Sequence, residues 1–189
     1  MRNPLQLGIP LAVVGVGMLV WQWANAPVSI PSNGRVADET QVRKWEDAEN
    51  ETKQIEYDAS AAGKVFASFG CANGRDLALR AGFYARKNRI SPRLVAATIV
   101  AESSCRASIV SKDGAIGLLQ IDRHTWRTYS RTELLNPTRN VEVGTLILAR
   151  YVREGGSNRE GLRRYFGITP GSDQADLYAD KVLQIARMN

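Results

Sequence analysis

From Arg75 onward apolar residues recur at helical spacing and almost nowhere alternate. Arg75–Arg89 reads as one helix. Ser91-Pro92 opens the next, with Ser as N-cap and Pro at the first helical position, and that helix should run to about Ser104. Asn140–Arg153 carries Val141, Leu148 and Val152 on a helical repeat stopped by Gly155-Gly156. Asn158 can cap a short helix ending near Gly167, and Tyr178, Val182 and Ile185 stand at i, i+4, i+7 in a closing helix. Strand-like alternation appears only weakly, around Gly117–Ile121. The pattern predicts a mainly α domain over residues 71–189.

Upstream the pattern changes twice. Leu5–Trp23 is a 19-residue stretch without a charge, interrupted by Gln6, Pro10 and Gln22. As a helix it would span roughly 28 Å, close to a bilayer core. Ala24-Asn25-Ala26 resembles a signal-peptide cleavage site, but Pro27 directly after it would hinder a peptidase. The expectation is an uncleaved single-pass anchor over residues 1–26, its short tail inside and the bulk of the chain outside the inner membrane. Trp21 and Trp23 suit an interfacial belt. Ala26–Gly34 is rich in turn formers and reads as a linker. Residues 35–69 are polar, with supporting pairs Glu39/Arg43 and Glu49/Lys53 but no sustained heptad, so residues 27–70 read as a linker and a solvated, partly helical stalk.

Charge narrows the partners. Residues 1–70 hold 6 Lys/Arg against 8 Asp/Glu, whereas residues 71–189 hold 19 against 11, mostly arginine. A domain this basic favours a polyanion: nucleic acid, anionic lipid or the carboxylate-bearing bacterial wall. No zinc-finger spacing, RNP signature or recognition-helix pattern supports nucleic acid. The cysteines, Cys71 and Cys105, suit a disulfide if the domain lies in an oxidising compartment; two independent buried thiols are the alternative. With His124 as the single histidine they make a poor metal site, and no cofactor is indicated.

The segment that carries chemistry is Leu94–Ser104, an apolar helix with one acid, Glu102. Val95, Ile99 and Glu102 fall at i, i+4, i+7, which puts the carboxyl on the apolar face. Lost hydration there disfavours the charged form and raises the pKa, the state a general acid needs at neutral pH. A structural Glu bonded to a loop is the plainer reading. Downstream, Ser111–Ile121 forms a glycine-bearing loop in which Gln120, set among Leu118, Leu119 and Ile121, needs an amide partner in the protein or in a ligand such as a sugar. Asp122 reads as an N-cap for a short helix through Trp126, and Asp113 as a turn residue.

Glu102-Ser103, Ser111 and Gly114-Ala115-Ile116-Gly117-Leu118-Leu119-Gln120, in that order, resemble the soluble lytic transglycosylase family, phage members included. The resemblance extends from about Ile90 to Val182 and takes in Asn136-Pro137, Asn140-Val141, Gly144-Thr145-Leu146, Tyr165, Tyr178 and Lys181-Val182. It implies a goose-type-lysozyme-like helical fold. It also implies cleavage of the β-1,4 bond between N-acetylmuramic acid and N-acetylglucosamine, leaving 1,6-anhydro ends. Glu102 would be the single acid/base, with Ser103, Ser111, Gly117, Leu119, Gln120, Tyr165 and Tyr178 lining the substrate. The family's third motif is usually Ala-Tyr-Asn; here it reads Arg164-Tyr165-Phe166, so one polar substrate contact is replaced by a ring. Two other readings stand beside this one: a lysozyme-type hydrolase on the same scaffold, and a membrane-tethered wall-binding component of an envelope-spanning or virion assembly.

Overall fold

The computed structural model describes residues 38–167 and 172–188. The apolar run Leu5–Trp23 and the linker Ala26–Gly34 lie outside the described residues. Among the described residues no helix is long and apolar enough to cross a membrane. The chain divides into two compact units, Met1–Trp45 and Glu46–Asn189. Of the first, the described part is the start of a helix: the Asp38 carboxylate accepts from the Gln41 N–H at 2.8 Å, and Arg43 pairs with Glu39 on the surface.

The segment expected to be a solvated, partly helical stalk is continuous helix α1 (Glu39–Ser68), and its C-terminal half belongs to the core of the second unit. Ile55, Ala59, Ala62, Val65 and Phe66 form a buried stripe at i, i+4, i+7, i+10 and i+11. Alanine supplies two of the five positions, so the stripe carries little hydrophobic signal among its charged neighbours. It meets α2 (Gly74–Asn88) where the backbones come close: a Cβ on Gly82 would lie 2.6 Å from the Ala59 nitrogen. Only glycine permits that crossing.

Helix α3 (Pro92–Ser103) starts as its sequence predicts, with the Ser91 hydroxyl accepting from the Leu94 N–H. Leu94 through Val100 are buried without exception. A helix apolar on all sides must be surrounded; α2 and the closing helix α7 (Asp173–Arg187) pack against it. The Arg93 guanidinium reinforces the second contact by donating to the Ala186 carbonyl at 2.8 Å and to the Met188 carbonyl. Cys71, just before α2, and Cys105, just after α3, are joined by a disulfide with Cα atoms 5.7 Å apart.

Beyond α3 the weak alternation becomes a hairpin of two-residue strands, β1 (Ala115–Ile116) and β2 (Ile121–Asp122), paired antiparallel with Ile116 opposite Ile121. Asp122 ends β2 instead of capping a helix. Its carboxylate accepts from the His124 and Thr125 N–H groups and the Thr125 hydroxyl, and Trp126 N–H closes one isolated turn onto the Asp122 carbonyl. A capping box between Ser130 and Glu133 opens α4 (Arg131–Leu135), and the Asn136 side chain caps α5 (Pro137–Gly155). Ser157, one residue before the expected Asn158, caps α6 (Asn158–Phe166). Ion pairs from Arg159 to Asp176 and Asp180 link α6 to α7.

Phe66 is fully buried whereas Tyr57 on the same helix is 71% exposed. Phe66→Ala should therefore lower unfolding free energy by about 3–5 kcal/mol. Tyr57→Ala should change it by no more than about 0.5 kcal/mol. Urea unfolding monitored by circular dichroism measures both, and equal, small effects would remove α1 from the core.

Candidate active site

Glu102 sits in the last turn of α3, where the chain leaves the helix through Ser104 and Cys105 in left-handed conformation. Its carboxyl is mostly withdrawn from water. Burial pushes its pKa up, opposed in part by the Tyr178 hydrogen bond and by the Lys181 charge. The Tyr178 hydroxyl donates to Glu102 Oε1 at 2.5 Å. Tyr178 and Lys181 are three residues apart on α7, one helical face, so a single element delivers both the donor and the nearby cation.

Tyr165, on α6, donates its hydroxyl to the Leu119 carbonyl at 2.7 Å and meets Tyr151 edge-on, with ring centroids 6.4 Å apart. Burial holds both phenols far above the ordinary tyrosine range, with the Glu102 charge acting in the same direction. They remain protonated donors throughout the pH range in which a carboxyl titrates. Phe166 stacks on Tyr178, with centroids 4.9 Å apart and planes inclined by 26°. The departure from the family motif thus places an aromatic face against the ring that holds the acid.

The residues singled out in the sequence separate into two groups. Glu102, Tyr178, Tyr165 and Leu119 are linked by hydrogen bonds or by direct electrostatic influence. Ser103 does not face the site: it is buried, and its hydroxyl donates to the Ile99 carbonyl at 3.0 Å. Ser111 shapes the loop, its Oγ accepting from the Ala115 N–H at 3.0 Å. Gln120, at φ 43°, folds its amide back on the hairpin, Nε2 donating to the Gly117 carbonyl at 2.9 Å and the Ile109 carbonyl at 3.4 Å. Its polar demand is met inside the protein at that end.

One organiser was not singled out as a site residue. Asn140, fully buried near the start of α5, accepts from the Leu119 N–H at 2.8 Å and donates to the Ile116 and Leu134 carbonyls, each at 2.8 Å. Gly117 has φ 79° and room only for hydrogen: a Cβ there would lie 2.2 Å from Asn140 Nδ2. The readable signal was a polar amide among Val141 and Val143 on an apolar helix face. Among the described residues no group of three or more His, Cys, Asp or Glu could hold a metal ion.

Comparisons with known proteins agree with the resemblance drawn from the motifs. Residues 81–166 match the family profile described as "Transglycosylase SLT domain". An endo-type membrane-bound lytic murein transglycosylase A from Cronobacter sakazakii is 41% identical over 71 residues, covering 32% of this chain and 35% of that protein. A membrane-bound lytic murein transglycosylase C from Edwardsiella ictaluri is 33% identical over 93 residues, 42% of this chain and 26% of that protein. A transglycosylase of Enterobacteria phage PRD1 is 32% identical over 87 residues, 46% of this chain and 32% of that protein. The chain therefore spans about a third or less of the length of these relatives. No solved structure matches the chain.

The raised pKa of Glu102 has a consequence for stability. Its contribution is fully present below the carboxyl's unfolded-state pKa and is lost as pH rises through the higher folded value. Glu102→Gln keeps an acceptor for Tyr178 and cannot ionise. The variant should match wild type in acid and exceed it in unfolding free energy at pH 8. Denaturant titrations at the two pH values test this, and a variant less stable at pH 8 than at pH 4 relative to wild type would contradict it.

Proposed function

We propose that this chain is a peptidoglycan lytic transglycosylase that cuts glycan strands with Glu102 alone as acid and then base. The observation that carries the reading is a single carboxyl whose pKa burial raises and whose Oε1 is held by a phenol that stays protonated. Protonated Glu102 donates to the glycosidic oxygen as the C1–O bond breaks. The resulting carboxylate then removes the proton of the muramoyl C6 hydroxyl, whose oxygen closes on C1. The acid is regenerated, no water is consumed, and a 1,6-anhydro end results. The bond is the β-1,4 linkage between N-acetylmuramic acid and N-acetylglucosamine, and the scaffold is lysozyme-like.

A hydrolase would need a second carboxylate across the sugar. Asp122 commits its oxygens to Thr125 and to the His124 N–H, and Asp113 lies in an exposed turn, so neither is posed for that role. Gly117, Leu119 and Gln120 shape the hairpin beside the glycan, and Tyr165, bonded to the Leu119 carbonyl, joins that hairpin to the surroundings of Glu102 and Tyr178. Ser111 shapes the loop that leads into the hairpin, and Ser103 closes the helix end beside Glu102. Phe166 supports Tyr178 instead of contributing a polar contact. Glu102→Gln should reduce release of anhydro-muropeptides from purified peptidoglycan by roughly 10²–10⁴-fold or more. Mass analysis of the products decides among the readings: anhydro ends are expected, reducing ends would mean a hydrolase, and no cleavage by wild type would mean a wall-binding component.

We further assign Leu5–Trp23 as a single-pass inner-membrane anchor, with the catalytic domain on the periplasmic side or, in a phage setting, within the virion. Support comes from the length and apolarity of that run and from the words "membrane-bound" in the names of the bacterial relatives. Apolar transfer is not screened by salt. The full chain should therefore stay in the membrane fraction through high-salt and alkaline washes, and release into the supernatant would refute the anchor.

A further inference from the structure

Beside the hairpin, lined in part by Gly114 and Ile116, lies a cleft of about 360 Å³ that the reaction just described does not use. Val110 and Ile116 supply an apolar floor, and Arg123, His124, Arg127 and Arg131 supply the walls. Several arginines further along the chain are neutralised: Arg139 by Glu142, Arg150 by Glu154, Arg159 by Asp176 and Asp180, Arg163 by Glu160. Among the described residues no carboxylate pairs with Arg123, Arg127 or Arg131. The nearest acid in sequence, Asp122, is occupied by Thr125 and the His124 N–H. Arg127 Nε donates to the His124 carbonyl at 3.1 Å, which aims the outer edge of its guanidinium without neutralising it. Three uncompensated cations therefore line one concavity, an arrangement whose mutual repulsion a bound anion relieves.

We propose that this cleft is a carboxylate subsite for the short peptide branches of the wall glycan. The proposal rests on the peptidoglycan reading above. A guanidinium fork matches a planar carboxylate in two parallel hydrogen bonds, and three forks suit a ligand with several carboxylates on a short chain. The cleft is of a size that holds a small ligand, and its apolar floor suits the methyl and methylene groups of such a branch. Position agrees: Arg123 follows Gln120 by three residues, so their Cα atoms lie at most about 11 Å apart. Ile116 both lines the cleft and pairs with Ile121 across the hairpin.

The test uses the full chain in detergent and two kinds of probe. The first is a synthetic wall tetrapeptide with free carboxylates, which has no glycosidic bond to cleave, compared with the same peptide carrying carboxamides. Wild type should bind the free acid on the order of tenfold or more tightly than the amide, and Arg127→Gln with Arg131→Gln should erase that difference. Arg127→Lys with Arg131→Lys should recover part of it, charge without the fork. The second probe is wall glycan with its peptides intact or removed by an amidase. The paired Gln substitutions should raise KM on intact strands by a similar factor and leave the kinetics on stripped strands at the wild-type level. Equal affinity for acid and amide, an equal loss on stripped strands, or tighter arginine-dependent binding to DNA or to anionic vesicles would each overturn the subsite. Failure of wild type to cleave either glycan would overturn the transglycosylase reading alone, because the peptide measurement still decides the cleft.

Discussion

Helix α3 is buried along nearly its whole length, and it ends in an acid. The remaining architecture answers those two facts together. An apolar helix has to be surrounded, and α2 and α7 do so. Glu102 is thereby carried to the margin of that enclosure, too deep to keep its full hydration and too shallow to be sealed off. The Tyr178 hydroxyl, from a position 76 residues later, completes the environment. Burial and a donor that never ionises act in opposite directions on the carboxyl, with burial the larger influence. The role proposed for Glu102, giving a proton and then taking one back, needs that balance.

The hairpin, linked to the surroundings of Glu102 through Tyr165, is held by side chains from outside it. Asn140 makes three hydrogen bonds to backbone that no regular sheet or helix would satisfy, and Gly117 leaves the space for its amide. Tyr165 fixes the Leu119 carbonyl from the other side, and the Gln120 amide closes the loop on itself. Strands of only two residues cannot rigidify a wall by ladder hydrogen bonds, so side chains take over. The result is a hairpin whose backbone is fixed by the Asn140, Gln120 and Tyr165 side chains.

The basic character of the domain resolves into two populations. Arg139 and Arg150 on α5 and Arg159, Arg163 and Arg164 on α6 are paired with carboxylates, and the pairs from Arg159 to Asp176 and Asp180 tie the closing helix to α6. Those in the segment after β2 are left open. Net charge alone pointed to a polyanion in general. Its distribution shows arginines that bind helices together through carboxylates and a group of three, unpaired with any carboxylate, that line one cleft.

Helix starts and stops were legible in the sequence because they depend on neighbouring residues. Ser91-Pro92 and Gly155-Gly156 act locally, and the structure ends those helices where they stand. Glu102 was legible for a similar reason: one acid on an apolar face declares its own hydration problem. The burial of α1 was not, because an alanine-rich stripe gains little until a partner such as Gly82 lets two backbones meet. Ser103 belongs to the motif by position, yet a helix-end hydroxyl can turn inward to its own backbone, and only packing decides that it does. The role of Asn140, the stacking of Phe166 on Tyr178 and the convergence of Arg123, Arg127 and Arg131 all require segments distant in sequence, or an irregular turn, to be placed in space. The sequence by itself determined which residue types could perform the chemistry and where the helices begin. Tertiary structure decided which of them face one another, because contact across the fold depends on the burial of every segment at once.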